Sequence, residues 1–440
     1  LNIEIVSIAV LVAIFVIATV LPVNMGVLAF AAAFGVGALI LGLTPAEIFG
    51  GFPADLFVTL VGVTYLFAIA HKNGTVDWLV DRAVALVGGR VAAVPWVMFA
   101  VSAVLTGFGA LGPAAIAILA PVALRFAVQH RLSPVMMGLM VIHGAQAGGF
   151  SPISVYGGIV NGVVAKAGLA SDPTALFLSS LLFNLGIAVL VFLLFGGLQS
   201  LRRHALAAHV ETHLPSAEAS ISGTGGAPAP LPEPPPAAAQ GGLNVERGAT
   251  LLGLTALCVG ALAFEFNVGL VAMTVAALLA LISPKTQKGA VGEISWPTVL
   301  LISGVITYVA VMQKAGAVDY VGQAISQLDA PLVAALLLCF TGAIVSAFAS
   351  STALLGAVIP LAVPFLMTGR IGAVDVVAAI SVCTTIVDTS PFSTNGALVV
   401  ANTPEAQREA VLRTLLIYSA VIALAGPVAA WLVLIVPGLM

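Results

Sequence analysis

The chain of 440 residues is 60% hydrophobic and only 8% charged, with a mean hydropathy of +1.17. A soluble globule carries about 25% charged residues, so the composition excludes one and specifies a polytopic membrane protein. The net charge of −3 singles out no partner and nucleic acid is not expected; no Walker loop, dinucleotide fingerprint or nucleophile elbow occurs, so an ATP-driven pump is not expected either.

Apolar runs of about 20 residues, the length that crosses a bilayer, predict spans near residues 3–21, 25–43 and 54–70, then an amphipathic stretch from Thr75 to Val87. The first run lacks a basic leader and a small-residue cleavage site, so it reads as a true span. A double run, 91–108 and 113–128, is interrupted by Gly107-Phe108-Gly109-Ala110-Leu111-Gly112-Pro113 with no charged turn, which predicts a re-entrant hairpin (91–128) ending inside the membrane. Next comes an apolar helix over 134–167 that contains Ser151-Pro152-Ile153-Ser154-Val155-Tyr156-Gly157, followed by a span over 174–198. Proline removes a backbone donor and takes the preceding residue out of the helical region, so this helix is read as broken.

Residues 200–247 differ abruptly: Pro215, Pro228, Pro230, Pro232, Pro234, Pro235 and Pro236 stand among Ala, Gly and Ser, the composition of an extended or disordered linker. Beyond it, spans are predicted near 249–266, 268–283 and 297–313, with an amphipathic stretch from Val318 to Leu328. A second hairpin (331–367) is interrupted by Phe348-Ala349-Ser350-Ser351-Thr352. A second broken helix over 372–401 holds Ser390-Pro391-Phe392-Ser393-Thr394-Asn395-Gly396, and a span over 410–436 closes the chain. Cys258, Cys339 and Cys383 fall inside predicted spans and read as packing residues.

The two halves repeat each other. Asn24-Met25-Gly26 recurs as Asn267-Val268-Gly269, and Lys72-Asn73-Gly74-Thr75-Val76-Asp77-Trp78 as Lys314-Ala315-Gly316-Ala317-Val318-Asp319-Tyr320, in the same order as the Ser-Pro phrases. Each half, 1–199 and 248–440, has five crossings and one hairpin, and an odd number of crossings inverts the second half relative to the first. The fold class expected is therefore an all-α membrane protein built as an inverted repeat. Charge agrees: the side holding the linker collects Lys72, Arg82, Arg90, Arg125, Arg131, Arg202, Arg203, Arg247, Lys285, Lys288, Arg408 and Arg413, leaving Lys166, Lys314 and Arg370 opposite. Positive residues favour the cytoplasm, so the linker is expected inside and both termini outside. Trp78, Trp96, Trp296 and Trp431 fall near span ends, as interfacial anchors do.

Irregular backbone at membrane depth is tolerated where it is buried in protein or lines a wet cavity, which makes each Ser-Pro phrase a candidate binding site. No lysine or arginine falls at the centre of a predicted span, so an anion must be held by hydroxyls, by amides and by helix N-termini, which offer free N–H groups. The groups available are Ser151, Ser154, Ser350, Ser351, Thr352, Ser390, Ser393, Thr394 and Asn395, with the N-termini at the hairpin tips and after each break. Cations held by carbonyls of the same breaks would offset the anion's charge and couple its movement to a cation gradient. Asp388 is a carboxylate at membrane depth, suited to ligating a cation or taking up a proton, and its repeat counterpart is Gly149. His143 and Gln146 precede the first break. His204, His209 and His213 lie in or beside the linker without the Cys or carboxylates that would complete a metal site. An intramembrane enzyme using His143 with Asp388 is the competing class, and the repeat disfavours it, because alternating access needs two-sided symmetry and catalysis does not.

At the paired hairpins and Ser-Pro breaks the chain resembles the ion transporter superfamily, specifically the divalent anion/sodium symporters. The opening Leu21-Pro22-Val23-Asn24-Met25-Gly26-Val27-Leu28-Ala29-Phe30 is similar to the N-terminal region of MatC-type malonate and dicarboxylate carriers. The resemblance implies a homodimeric elevator transporter in the inner membrane, moving a small dicarboxylate with sodium and needing no other cofactor. It carries substrate contact onto Ser151-Pro152 and Ser390-Pro391. The family's Ser-Asn-Thr tip is approached by Ser350-Ser351-Thr352 but not by Ala110-Leu111-Gly112. Ser154, Ser351, Thr352, Ser393, Thr394 and Asn395 complete the expected substrate set, and Gly109, Gly112, Gly148, Gly149, Ser350, Asp388 and Thr389 the expected sodium set. The second half, with Asp388, Thr394 and Asn395 against Gly149, Val155 and Tyr156, is expected to supply most side-chain contacts.

Overall fold

The computed structural model describes residues 2–85, 91–196, 242–284, 289–317, 320, 330–347, 351–367, 369 and 371–439. Among these every regular element is helical. Seven helical segments, beginning at Ala54, Gly112, Pro173, Val245, Trp296, Ala373 and Glu405, are long and apolar enough to cross a membrane, and shorter apolar helices accompany them.

The first half runs through α1 (Ile3–Val20), α2 (Met25–Ala32, continued as a π-helix over Ala33–Ile40), α3 (Pro45–Phe49), α4 (Ala54–Lys72) and α5 (Thr75–Ala85). Then come the hairpin arms α6 (Val94–Gly107) and α7 (Gly112–Gln129), the two pieces of the broken helix, α8 (Pro134–Gly148) and α9 (Val155–Lys166), and α10 (Pro173–Leu194). The second half follows with α11 (Val245–Leu262), α12 (Val268–Ile282), α13 (Trp296–Lys314), hairpin arms α14 (Pro331–Ser346) and α15 (Ser351–Met367), broken pieces α16 (Ala373–Ile386) and α17 (Thr394–Ala401), and α18 (Glu405–Ala430).

The repeated phrases have physical explanations. Asn24 caps α2, its Oδ1 accepting from Gly26 N at 2.9 Å, and Asn267 caps α12, accepting from Leu270 N at 3.0 Å. The glycine two residues after each cap lies where helices cross: a Cβ on Gly26 would come 2.0 Å from Leu300 O of α13, and one on Gly269 2.6 Å from Thr59 N of α4. Helix pairs in a membrane gain little from hydrophobic contrast, so close approach of this kind supplies the packing. The Lys-x-Gly phrases end α4 and α13, with Gly74 at φ +71° and Gly316 at φ +76° in the left-handed conformation that stops a helix.

Two helix starts fall well before expectation. Helix α11 starts at Val245, inside the stretch assigned to the linker, because Asn244 accepts from Arg247 N at 2.8 Å and caps a turn whose charges read as linker. Helix α18 starts at Glu405 rather than near 410, since Pro404 presets the entry to a polar first turn. Residues 200–241 of the linker with His204, His209 and His213, most of the amphipathic stretch from Val318, and Ser350 lie outside the described residues.

The broken helices form the centre of the molecule. Every residue from Val135 to Gly148 in α8 and from Val376 to Ile386 in α16 is buried. Around them α6 and α7 pack on α8, and α14 and α15 on α16. Each hairpin also reaches across to the other half: α7 packs on α17, and α15 on α9. Cys339 of α14 and Cys383 of α16, both buried, stand side by side in this core.

Candidate functional site

The two Ser-Pro phrases fold the same way, residue for residue. Ser154 Oγ donates toward Gly149 O (2.5 Å) and Ser151 O (2.7 Å) and accepts from Gly157 N (3.1 Å). Ser393 Oγ donates toward Asp388 O (2.5 Å) and Ser390 O (2.7 Å) and accepts from Gly396 N (3.3 Å). Each is thus the N-cap of the helix leaving its break. The glycine three residues on is compulsory, because a Cβ would come 2.0 Å from Ser151 O at Gly157 and 2.1 Å from Ser390 O at Gly396.

This corrects the role expected for Ser154 and Ser393. Their hydroxyls already serve the backbone, and little capacity remains for a ligand. Ser151 and Ser390 are different: each accepts one bond, from Ile153 N (3.4 Å) and Phe392 N (3.2 Å), and among the described residues neither hydroxyl hydrogen has an acceptor. Two matched donors therefore remain beside Pro152 and Pro391, both of which are partly exposed.

Asp388 is buried where the second hairpin meets the second break. Its Oδ1 accepts from Ser351 Oγ at 2.7 Å; Ser351 Oγ stands 3.0 Å from Ser346 Oγ, which donates to Thr384 O at 2.5 Å. A carboxylate at this depth needs a partner, and Ser351 supplies one hydrogen bond to it, with Ser346 behind. Thr389 turns outward from this group, its Oγ1 3.1 Å from Ser419 Oγ of α18. Gly148 is a packing residue, since a Cβ there would come 1.9 Å from Ala103 O of α6, while Gly149 O is occupied by Ser154.

At the first hairpin tip Gly109 has φ +104°, and its Cβ position lies 2.0 Å from Val63 Cγ1, so the turn against α4 admits glycine. Helix α7 begins beyond it at Gly112 with Leu111 as N-cap and no side-chain cap, leaving first-turn N–H groups available. Asn395 abuts this end: a Cβ on Gly112 would lie 3.6 Å from Asn395 Nδ2. Asn395 Oδ1 is buried with no hydrogen-bond partner among the described residues, as is Gln146 Oε1, whose Nε2 donates to Thr385 O at 2.7 Å. Thr394 is exposed while Asn395 is buried, so the two do not act as one polar group.

His143 belongs to a closed network. Its Nδ1 is 3.0 Å from Asn184 Oδ1 and its Nε2 2.7 Å from Tyr418 Oη. Asn184 Nδ2 donates to Ser180 O, which leaves Oδ1 as the acceptor for Nδ1–H. This ties α8 to α10 and α18 and leaves the ring no free nitrogen. Among the described residues no cluster of three His, Cys, Asp or Glu side chains could hold a metal ion.

Sequence reasoning passed over Tyr156. It occupies the position in the first phrase that Asn395 holds in the second, and its hydroxyl lies against Thr352 at the second tip, with Asp388 in electrostatic range. The signal was the register of the repeat itself. A cavity of about 310 Å³ leads toward the first tip between α4 and α7, lined by Thr64, Phe67, His71, Gly109, Leu111, Ala117, Glu293 and Ser295 among others. At its mouth Lys72 Nζ pairs with Glu293 Oε1 at 2.9 Å.

The site thus holds hydrogen-bond donors suited to an anion and unpartnered oxygens suited to a cation, at breaks approached by two hairpins. Residues 1–149 match the family model described as the dicarboxylate carrier protein MatC N-terminus. This MatC-like region ends at the first break, so it takes in α1 to α8 with the first hairpin. It agrees with the resemblance read from Leu21 to Phe30. Among solved structures, the YdaH transporter of Alcanivorax borkumensis, described as having an unusual topology, matches with a TM-score of 0.54 and 18% identity, covering 90% of this chain and 88% of that one. At that identity the likeness is one of fold alone, a helical multi-pass architecture. No curated protein matches the chain.

Proposed function

We propose that the protein is a secondary carrier that imports a small C3 or C4 dicarboxylate, such as malonate or succinate, coupled to a cation gradient, with sodium as the coupling ion. The observation that carries this reading is the pair of identically folded Ser-Pro breaks, each placed against a hairpin, in a chain whose first 149 residues match a dicarboxylate carrier model. Ser151 and Ser390 are the hydroxyl donors to the carboxylates, helped by the uncapped start of α7. Asn395, Gln146 and Asp388 supply oxygens to the cation. The reading includes an inverted repeat of 1–199 and 248–440 and an elevator movement of the hairpins and broken helices. Its support is the matched crossings at Gly26 and Gly269 and the reciprocal packing of α7 on α17 and α15 on α9. It also includes a homodimer in the inner membrane with the linker in the cytoplasm.

Uptake into proteoliposomes tests it: labelled malonate and succinate, with sodium, lithium, potassium and proton gradients imposed separately. Accumulation under a sodium gradient is expected. Absence of accumulation under every gradient would sink the reading.

A second reading, a proton-coupled anion carrier or a cation/proton exchanger, is favoured by one observation, the buried Asp388 carboxylate on Ser351. Asp388→Asn separates the two. Loss of pH dependence with sodium dependence kept assigns Asp388 to the proton, whereas unchanged pH dependence removes this second reading.

A further inference from the structure

Tyr156 is the side chain that links the two hairpin tips. At the first tip its ring lines a small cavity with Ala110, Leu111, Gly112 and Gly149, and a Cβ on Gly149 would come 3.2 Å from Tyr156 Cδ2. At the second, its hydroxyl lies against Thr352 of α15. Phe150 packs against the ring in a tilted arrangement, 5.6 Å between ring centroids and 48° between planes, and Tyr156 is buried. Its equivalent in the repeat, Asn395, also reaches across to the other half's hairpin, at Gly112. One position of the phrase therefore faces the opposite tip in both halves, filled by a short amide in one and a long aromatic in the other.

That inequality bears on the substrate. A dianion bound at this centre places its carboxylates at separate donor groups, and the donors belong to the two breaks and tips. We propose that Tyr156 sets the length of the dicarboxylate accepted, its ring filling the distance between the tips and its hydroxyl marking the end of the space at Thr352. This rests on the dicarboxylate reading above. A pocket wall of this kind discriminates one methylene by roughly 10- to 200-fold.

The test is transport of malonate, succinate and glutarate by reconstituted wild type, Tyr156→Phe and Tyr156→Leu, compared as ratios of kcat/KM. Tyr156→Leu is expected to raise the glutarate-to-succinate ratio by about tenfold. Tyr156→Phe keeps the ring and loses only the hydroxyl, so it should fold as wild type does and raise the ratio by less than Tyr156→Leu does. A residue that only supports the fold would lower all three substrates by one factor. Ratios that stay at the wild-type values in the variants, or in Tyr156→Phe alone where Tyr156→Leu does not fold, overturn the assignment and leave the carrier reading standing. Wild type that carries none of the three overturns both.

Discussion

Ser154 and Ser393 make the same three kinds of backbone contact, so removing either hydroxyl should have the same effect. Ser154→Ala and Ser393→Ala are each expected to lower stability by about 1 kcal/mol, the usual cost of a lost N-cap. Thermal unfolding in detergent measures it; a loss in one variant only, or of substrate affinity without stability, would contradict the capping role. Ser151→Ala and Ser390→Ala should instead raise KM for transport with little change in unfolding temperature. The sequence marked all four serines as available hydroxyls but could not distinguish a cap from a free donor, because that depends on the path of the backbone between Gly149 and Ser154. That Asp388 is a carboxylate at membrane depth was legible, and the structure buries it against Ser351. Tyr156 was not, because its polarity is one atom at the far end of an apolar ring and its partner, Thr352, is remote in sequence.

At the scale of elements, apolar run length and Ser-Pro chemistry placed the helices and both breaks, which are local properties. The starts of α11 and α18 were displaced because capping by Asn244 and entry through Pro404 hold charged turns in helix. The reciprocal packing of each hairpin on the other half was invisible, as contacts between remote segments leave no periodic trace. Two outcomes follow from element ends. Gly26→Val would force α2 and α13 apart, since even a Cβ there would stand 2.0 Å from Leu300 O, and the expected result is loss of folded, monodisperse protein by fluorescence-detected size exclusion. In α3, Glu47 closes a capping box with Thr44, and the backbone bond from Thr44 N (2.8 Å) is the main reason its carboxyl lies below the ordinary value of 4.5. A lowered value in the folded state means this contribution is complete above pH 4.5 and is lost as pH falls through the lowered value. Unfolding temperature of wild type should therefore fall toward that of Glu47→Gln as pH drops from 7 to ~3, and equal curves for the two would refute the capping contribution.

On the scale of the whole molecule, the cavity of about 310 Å³ opens beside Lys72 and Glu293, at the end of α4 that the distribution of basic residues assigns to the linker side. With Cys258 replaced by serine, Ala117→Cys in its wall should react with a membrane-impermeant thiol reagent added to the linker side and not from the opposite face. Labelling from the opposite face only would reverse the proposed orientation. The adjacency of Cys339 and Cys383 reaches further than packing. These thiols join a hairpin arm to the broken helix beside it, so a mercuric ion bridging them would rivet α14 to α16 with no engineered residue. If that pair travels as one piece, the riveted protein keeps its turnover; if the hairpin must swing open, it stalls, and Cys339→Ala restores it. The chain carries within its own core a strain gauge for deciding which of its parts move.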